Sequence, residues 1–212
     1  MAARFVPPWE TSAPALRQRD NTGSLAPGTG IATPSAVSSH DLVVAATNEL
    51  RGWRRGLDLL VLDQLRIEAW NRLLFIECGD GWIVEEAWRR ALRGYACGLD
   101  VSSAHIQLAK RLREVPGKLA FQTWDGRRLP CPDQGFDRVV ATFAVARAYD
   151  PADLLREMQR VARPDRDLYL LETDSIAGEL RRILAAAGCG GVRQLSSPDT
   201  LLLVRAHAAP PA

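Results

Sequence analysis

From residue 72 onward the chain alternates short apolar runs with longer amphipathic stretches, and this alternation constrains its fold more than any other feature. The apolar runs are too short for buried helices. The stretches between them carry apolar residues at helical steps, so the series reads as βαβ units built around a parallel sheet. The spacing predicts strands over Arg72–Glu77, Tyr95–Leu99, Lys118–Thr123, Asp137–Thr142 and Asp167–Glu172. Between the last two, Asp150 is placed to cap a helix, Pro151 suits its first turn, and Leu154, Leu155, Met158, Val161 and Ala162 form one core-facing stripe. A further helix is expected over residues 176–187, with Ile176, Leu180, Ile183, Leu184 and Ala187 on one face and Gly188 as its stop. Val192–Leu195 and Leu201–Val204, separated by Ser-Ser-Pro-Asp, read as a terminal strand pair.

Upstream the pattern differs. Residues 1–40 are rich in Pro, Gly, Ser, Thr and Ala, with little large apolar surface to offset the entropy of ordering, so a disordered tail is expected there. The folded domain is expected over residues 41–208. It opens with a helix carrying Leu42, Val43, Ala46, Leu50 and Trp53, and a second helix over Leu57–Arg66, with Arg51, Arg54 and Arg55 as a solvated face. At 212 residues and 47% hydrophobic, the chain can build one sizeable core. The net charge is +2 with both signs interspersed, so no nucleic-acid or membrane surface is marked, although a nucleic-acid or protein substrate stays open. No segment has the apolar length of a membrane span and no secretory leader pattern is present, from which a cytoplasmic protein is expected. The four cysteines and three histidines are scattered without ligand spacing, so neither a metal site nor a disulfide framework is expected. Oligomeric state is not legible.

Three places can carry chemistry. In Leu73-Leu74-Phe75-Ile76-Glu77-Cys78-Gly79-Asp80-Gly81-Trp82, an apolar strand runs into a glycine turn and then a helix. Glycine lets a ligand approach the backbone or lets the turn adopt positive φ; a tight turn with no ligand is the plainer reading. About twenty residues on, Asp100 ends the next strand, where a carboxylate can accept from the two hydroxyls of a ribose or can belong to the cap of a helix over Ser103–Arg113, for which Ser102 also serves. At the end of the third strand, Asp125 can accept from an exocyclic amine while a neighbouring N–H donates to a ring nitrogen, or it is a turn aspartate.

The glycine turn, the strand-end acid, Asp125 with Leu129-Pro130, Phe136-Asp137-Arg138-Val139-Val140 and Leu155-Arg156-Glu157-Met158-Gln159-Arg160-Val161-Ala162-Arg163-Pro164 together resemble the class I S-adenosylmethionine-dependent methyltransferases of the type-11 group, over about residues 57–205. The resemblance implies a Rossmann-like α/β three-layer sandwich whose seven-stranded, mostly parallel sheet has the order 3-2-1-4-5-7-6 and an antiparallel terminal strand. It implies S-adenosylmethionine as cofactor, with Gly79 and Gly81 beside the methionine and ribose, Asp100 on the ribose hydroxyls, Asp125 on the adenine amine, and Trp124 and Gly126 flanking the adenine. Val101 and Phe143 are candidate lining residues.

The chain also departs from the pattern. Aligned on Cys78-Gly79-Asp80-Gly81, the usual strand-end acid is Phe75 and the usual first glycine is Glu77; alternatively Glu77 is the acid and Ile83 replaces the third glycine. Glu77 thus either obstructs the ligand or meets its amino group. After the fourth strand, where many members carry histidines, stand Ala146 and Arg147, and no general base can be named. The leading expectation is methyl transfer to a small-molecule acceptor. A non-catalytic domain of the same fold that binds a partner is the alternative, and a nicotinamide-dependent oxidoreductase is a third that leaves Asp125 and Leu129-Pro130 unexplained.

Overall fold

The structure is a computed structural model that describes residues 54–196 and 201–207. The expected tail and the expected helix beginning near residue 41 lie outside the described residues. The chain is already helical at residue 54, so the helix expected over Leu57–Arg66 instead covers 54–64 (α1).

The seven strands are β1 (Arg72–Ile76), β2 (Tyr95–Asp100), β3 (Leu119–Thr123), β4 (Arg138–Thr142), β5 (Asp167–Thr173), β6 (Gly190–Ser196) and β7 (Leu201–His207). They form one sheet in the order β3-β2-β1-β4-β5-β7-β6. The first five run parallel, with Leu74 opposite both Cys97 and Val139, while β7 pairs antiparallel with β5 and β6. Four more helices complete the layers: α2 (Trp82–Arg90), α3 (Ser103–Arg113), α4 (Pro151–Val161) and α5 (Ala177–Ala186).

Strand alternation decides which residue serves which layer. Leu73 and Phe75 bury one way, among α1, α2 and α3; Leu74 and Ile76 bury the other way, among α4 and α5. The stripe expected on α4 is core: Leu154, Leu155, Met158 and Val161 are buried, each worth about 1.5–3 kcal/mol relative to exposure. Asp150 caps that helix by accepting from the N–H groups of Ala152 and Asp153. With strands and helices in this register, the carboxyl ends of β1, β2, β3 and β4 meet on one edge of the sheet, the place where open parallel sheets bind ligands.

Candidate functional site

At the end of β1 the chain must turn sharply into α2. The turn is made by three left-handed residues: Glu77 at φ 59°, Gly79 at 58° and Gly81 at 78°. A Cβ on Gly81 would stand 2.4 Å from Phe121 Cε1, so glycine is required there both by φ and by space, whereas Gly79 faces open space. Glu77 occupies, in a conformation natural to glycine, the position of the usual first glycine, which favours the first of the two alignments.

Asp100, buried at the end of β2, binds this turn. Its Oδ2 accepts from Gly79 N at 2.8 Å, and its Oδ1 accepts from Ser102 N at 2.9 Å and lies 3.2 Å from His105 Nδ1. Ser102 itself caps α3, its Oγ accepting from His105 N at 3.3 Å. A carboxylate offers about four acceptor positions. Three are thus engaged inside the protein, and a ribose hydroxyl could take the fourth.

Glu77 points away from the turn into a cavity of about 330 Å³ lined by Val101, Trp124, Asp125, Gly126, Ala144, Arg147 and Tyr149. Its Oε1 accepts from Trp124 Nε1 at 3.3 Å, and its Oε2 stands 3.5 Å from an Arg147 nitrogen. Burial, reinforced by the Asp100 charge, pushes the Glu77 carboxyl above its usual range, while Trp124, Arg147 and the Val101 N–H oppose this. Asp125 is exposed, and its Oδ1 accepts from the N–H groups of Arg127 and Arg128, each at 2.9 Å. Those turn bonds hold its carboxyl below the usual range. The turn-aspartate geometry and a place on the cavity wall therefore coexist in one residue.

Of the nine expected site residues, Glu77, Val101, Trp124, Asp125 and Gly126 line one cavity, and Gly79, Gly81 and Asp100 form the turn beneath it. Phe143 is elsewhere. Its φ of 55° turns it to the opposite face of the sheet, where the Arg54 guanidinium lies 5.1 Å from its ring centre. Arg54 also donates to Thr142 Oγ1 at 3.0 Å and is half-buried, so it is not the solvated residue expected, whereas Arg55, over the Trp82 ring, is exposed as expected; Arg51 lies outside the described residues.

Arg147 was not among the expected site residues. It sits in a 3-10 turn, Val145–Arg147, fixed by the buried Glu172 of β5, whose carboxylate accepts from Val145 N at 2.7 Å. Two of the places where the chain departs from the pattern it resembles, an acid for a glycine and an arginine for a histidine, therefore face each other across the cavity. That reciprocal charge change is the sequence signal that could have found Arg147.

A larger cavity of about 640 Å³ opens beside β3, among Arg72, Tyr95, Cys97, Phe121, Cys131 and Phe136. It includes the first residues of β1, β2 and β3, the amino ends of the strands, and shares no residue with the smaller one. Position and chemistry both favour the smaller cavity as the site.

Residues 74–170 match a family model described as a methyltransferase domain. Demethylmenaquinone methyltransferase of Lactobacillus johnsonii is 29% identical over 126 residues, 58% of this chain and 50% of that protein. The chain spans about half the length of the curated relatives it matches. Among solved structures, an S-adenosylmethionine-dependent methyltransferase from Aquifex aeolicus superposes with a TM-score of 0.64 at 19% identity, covering 72% of this chain and 89% of that one. A structure named as a 4+2 cyclase superposes with a TM-score of 0.62 at 20% identity, covering 72% and 80%, so the shared fold does not by itself fix a reaction. Over residues 74–170, which run from β1 into β5, the chain is similar to the methyltransferase domain family.

Proposed function

We propose that the domain binds S-adenosylmethionine across the carboxyl ends of β1, β2 and β3 and transfers its methyl group to a small-molecule acceptor. The observation that carries this reading is the convergence, on one edge of the sheet, of the Gly79–Asp100 turn with a cavity walled by Val101, Trp124, Asp125 and Gly126. The residues suit the cofactor. Trp124 and Val101 offer apolar walls for a purine, Asp125 leaves Oδ2 for an exocyclic amine, Asp100 keeps an acceptor for a ribose hydroxyl, and about 330 Å³ falls within the range of small-molecule sites.

When bound, the cofactor supplies an electrophilic methyl carbon: the acceptor's electron pair forms the new bond, the C–S pair returns to sulfur, and an acceptor not already anionic gives up a proton. The chain's contribution is positioning and exclusion of water, which can supply much of the acceleration without a dedicated base. The relatives named for demethylmenaquinone make that compound the first acceptor to test. The alternative, a non-catalytic binding domain, is favoured by one observation, the Glu77 carboxylate projecting into the space a ligand would use.

Calorimetric titration with S-adenosylmethionine and with NAD tests the proposal. Saturable binding of the first and none of the second is expected. Binding of neither would leave the fold without this chemistry. Asp100→Ala is expected to weaken the nucleoside by about 1–3 kcal/mol, and an unchanged affinity in a folded variant would remove the ribose assignment.

A further inference from the structure

The charges around the cavity are unequal in how firmly they are held. Glu77 and Asp100 present carboxylates whose side chains are only 9% and 4% exposed, and the two repel each other. Against Glu77 stands Arg147, whose side chain is 66% exposed and whose nearest nitrogen, at 3.5 Å, makes an ion pair without a hydrogen bond. Arg127, the other cation on the wall, is turned over the Tyr149 ring at 4.7 Å. Trp124 and the Val101 N–H donate to Glu77, but both are neutral. The cavity therefore holds a desolvated carboxylate that is under-neutralised by its own surroundings. Removing the last water from such a group is costly unless a cation takes the water's place.

Resting on the proposed function, we propose that Glu77 makes this cavity selective for a positively charged nucleoside, so that the sulfonium form of the cofactor binds in preference to the neutral thioether left after transfer. A sulfonium placed near the carboxylate replaces an exposed guanidinium that contributes little. The thioether form keeps the ammonium but lacks the charge at sulfur, and so sets a soft apolar atom where the sulfonium would face the carboxylate; the selectivity requires that Glu77 meet the sulfur rather than the ammonium, which both forms share. Glu77 is here a specificity-determining residue, and Arg147 is its competitor. The same charge that favours the cofactor is lost on transfer, so the spent nucleoside is released rather than retained as an inhibitor.

The test is calorimetric, on the full chain, with S-adenosylmethionine, S-adenosylhomocysteine and an amine analogue carrying a protonated nitrogen in the sulfur's place. The natural protein is expected to prefer both cations over the thioether by about tenfold or more, the scale of a charge-assisted contact. Glu77→Gln keeps the size and an acceptor for Trp124, and should collapse that ratio toward one. Arg147→Ala removes the competitor, and should widen it. Opposite effects from the two variants are not expected of a merely structural pair, and Arg147→Ala alone decides the matter if Glu77→Gln does not fold. Equal binding of all three ligands, with ratios that neither variant moves, overturns the selectivity while leaving the proposed function standing. If only Glu77→Gly binds the nucleosides, the carboxylate excludes rather than selects, and the inference falls. If neither the natural protein nor Glu77→Gly binds any of them, the proposed function falls with it.

Discussion

Glu77 pays a conformational penalty for its position. A non-glycine residue in the left-handed region loses about 1–2 kcal/mol, and this one also buries a carboxylate. Glu77→Gly removes both costs and adds back about 0.5–1 kcal/mol of unfolded-state entropy. The glycine variant is therefore expected to be more stable than the natural protein by about 1 kcal/mol in urea at neutral pH, with Glu77→Ala, which keeps the left-handed penalty, below it. A glycine variant less stable than the alanine one would mean that backbone conformation does not govern this position. The acid at 77 and the arginine at 147 were each legible in the sequence as departures, but their pairing was not. Arg147 is seventy positions away, brought close by the sheet and by the Glu172 carboxylate that holds the 3-10 turn, and no local periodicity encodes such a meeting. Phe143 was misplaced for a related reason: a positive φ at the end of β4 reverses the face expected from strand alternation.

The turn from β1 into α2 shows how an element can demand a residue. Gly81 and Gly79 both have positive φ, but only Gly81 packs against the buried Phe121 ring. Gly81→Ala is expected to cost roughly 3 kcal/mol from overpacking and strain together, and Gly79→Ala about 1 kcal/mol from conformation alone. Thermal melts of the two variants separate these; equal losses would show that the contact with Phe121 relaxes freely. At this scale the sequence reads well. The parallel strands fall within a residue or so of their expected bounds, and α3 matches its expected bounds, because apolar periodicity, the Ser102 cap and the Asp150 cap are local signals. The terminal pair is longer than expected, β6 reaching Gly190 and β7 His207, because β7 pairs antiparallel along β5 and β6 in turn pairs with β7, beyond the apolar core of either. Arg54 of α1 shows the limit: its hydrogen bond to Thr142 at the end of β4 forms only in the assembled sheet, while its neighbour Arg55 stays exposed as expected.

The whole molecule stores buried carboxyls, and their sum sets how stability varies with pH. Asp58 on α1 is pushed from 3.8 up to about 6, by burial first and then the Asp80 charge, against Arg54 and Arg55. Its Oδ1 lies 3.5 Å from Arg54 Nε, an ion pair rather than a hydrogen bond. Glu77 is raised by burial and Asp100, and Glu172 by burial, against the N–H groups of Ala144, Val145 and Ala146 and the charge of Arg147. A carboxyl raised in the fold holds its proton more tightly there than in the unfolded chain. The unfolded state therefore gains ground as pH climbs from the ordinary carboxyl range through the folded value, and stability falls across that window. Asp125 and Glu157 work the other way, Glu157 because Arg160 and the Leu129 N–H outweigh its burial, but their support is already complete above the ordinary carboxyl range. Buried thiols add to the decline in alkali: Cys97, pushed to about 11, stays protonated in the fold where the unfolded chain ionises. Unfolding free energy measured in urea is thus expected to be greatest in mildly acidic buffer and to fall from pH 5 to pH 8, with Asp58 contributing about 1.5 kcal/mol of that fall, half of what its shift is worth over the whole window. Asp58→Asn keeps the shape without the charge and should flatten the curve between pH 4 and 6. A free energy that instead rises from pH 5 to pH 8 in the natural protein would mean that these carboxyls are not desolvated in solution, and that Glu77 lacks the unmet charge on which its selectivity depends.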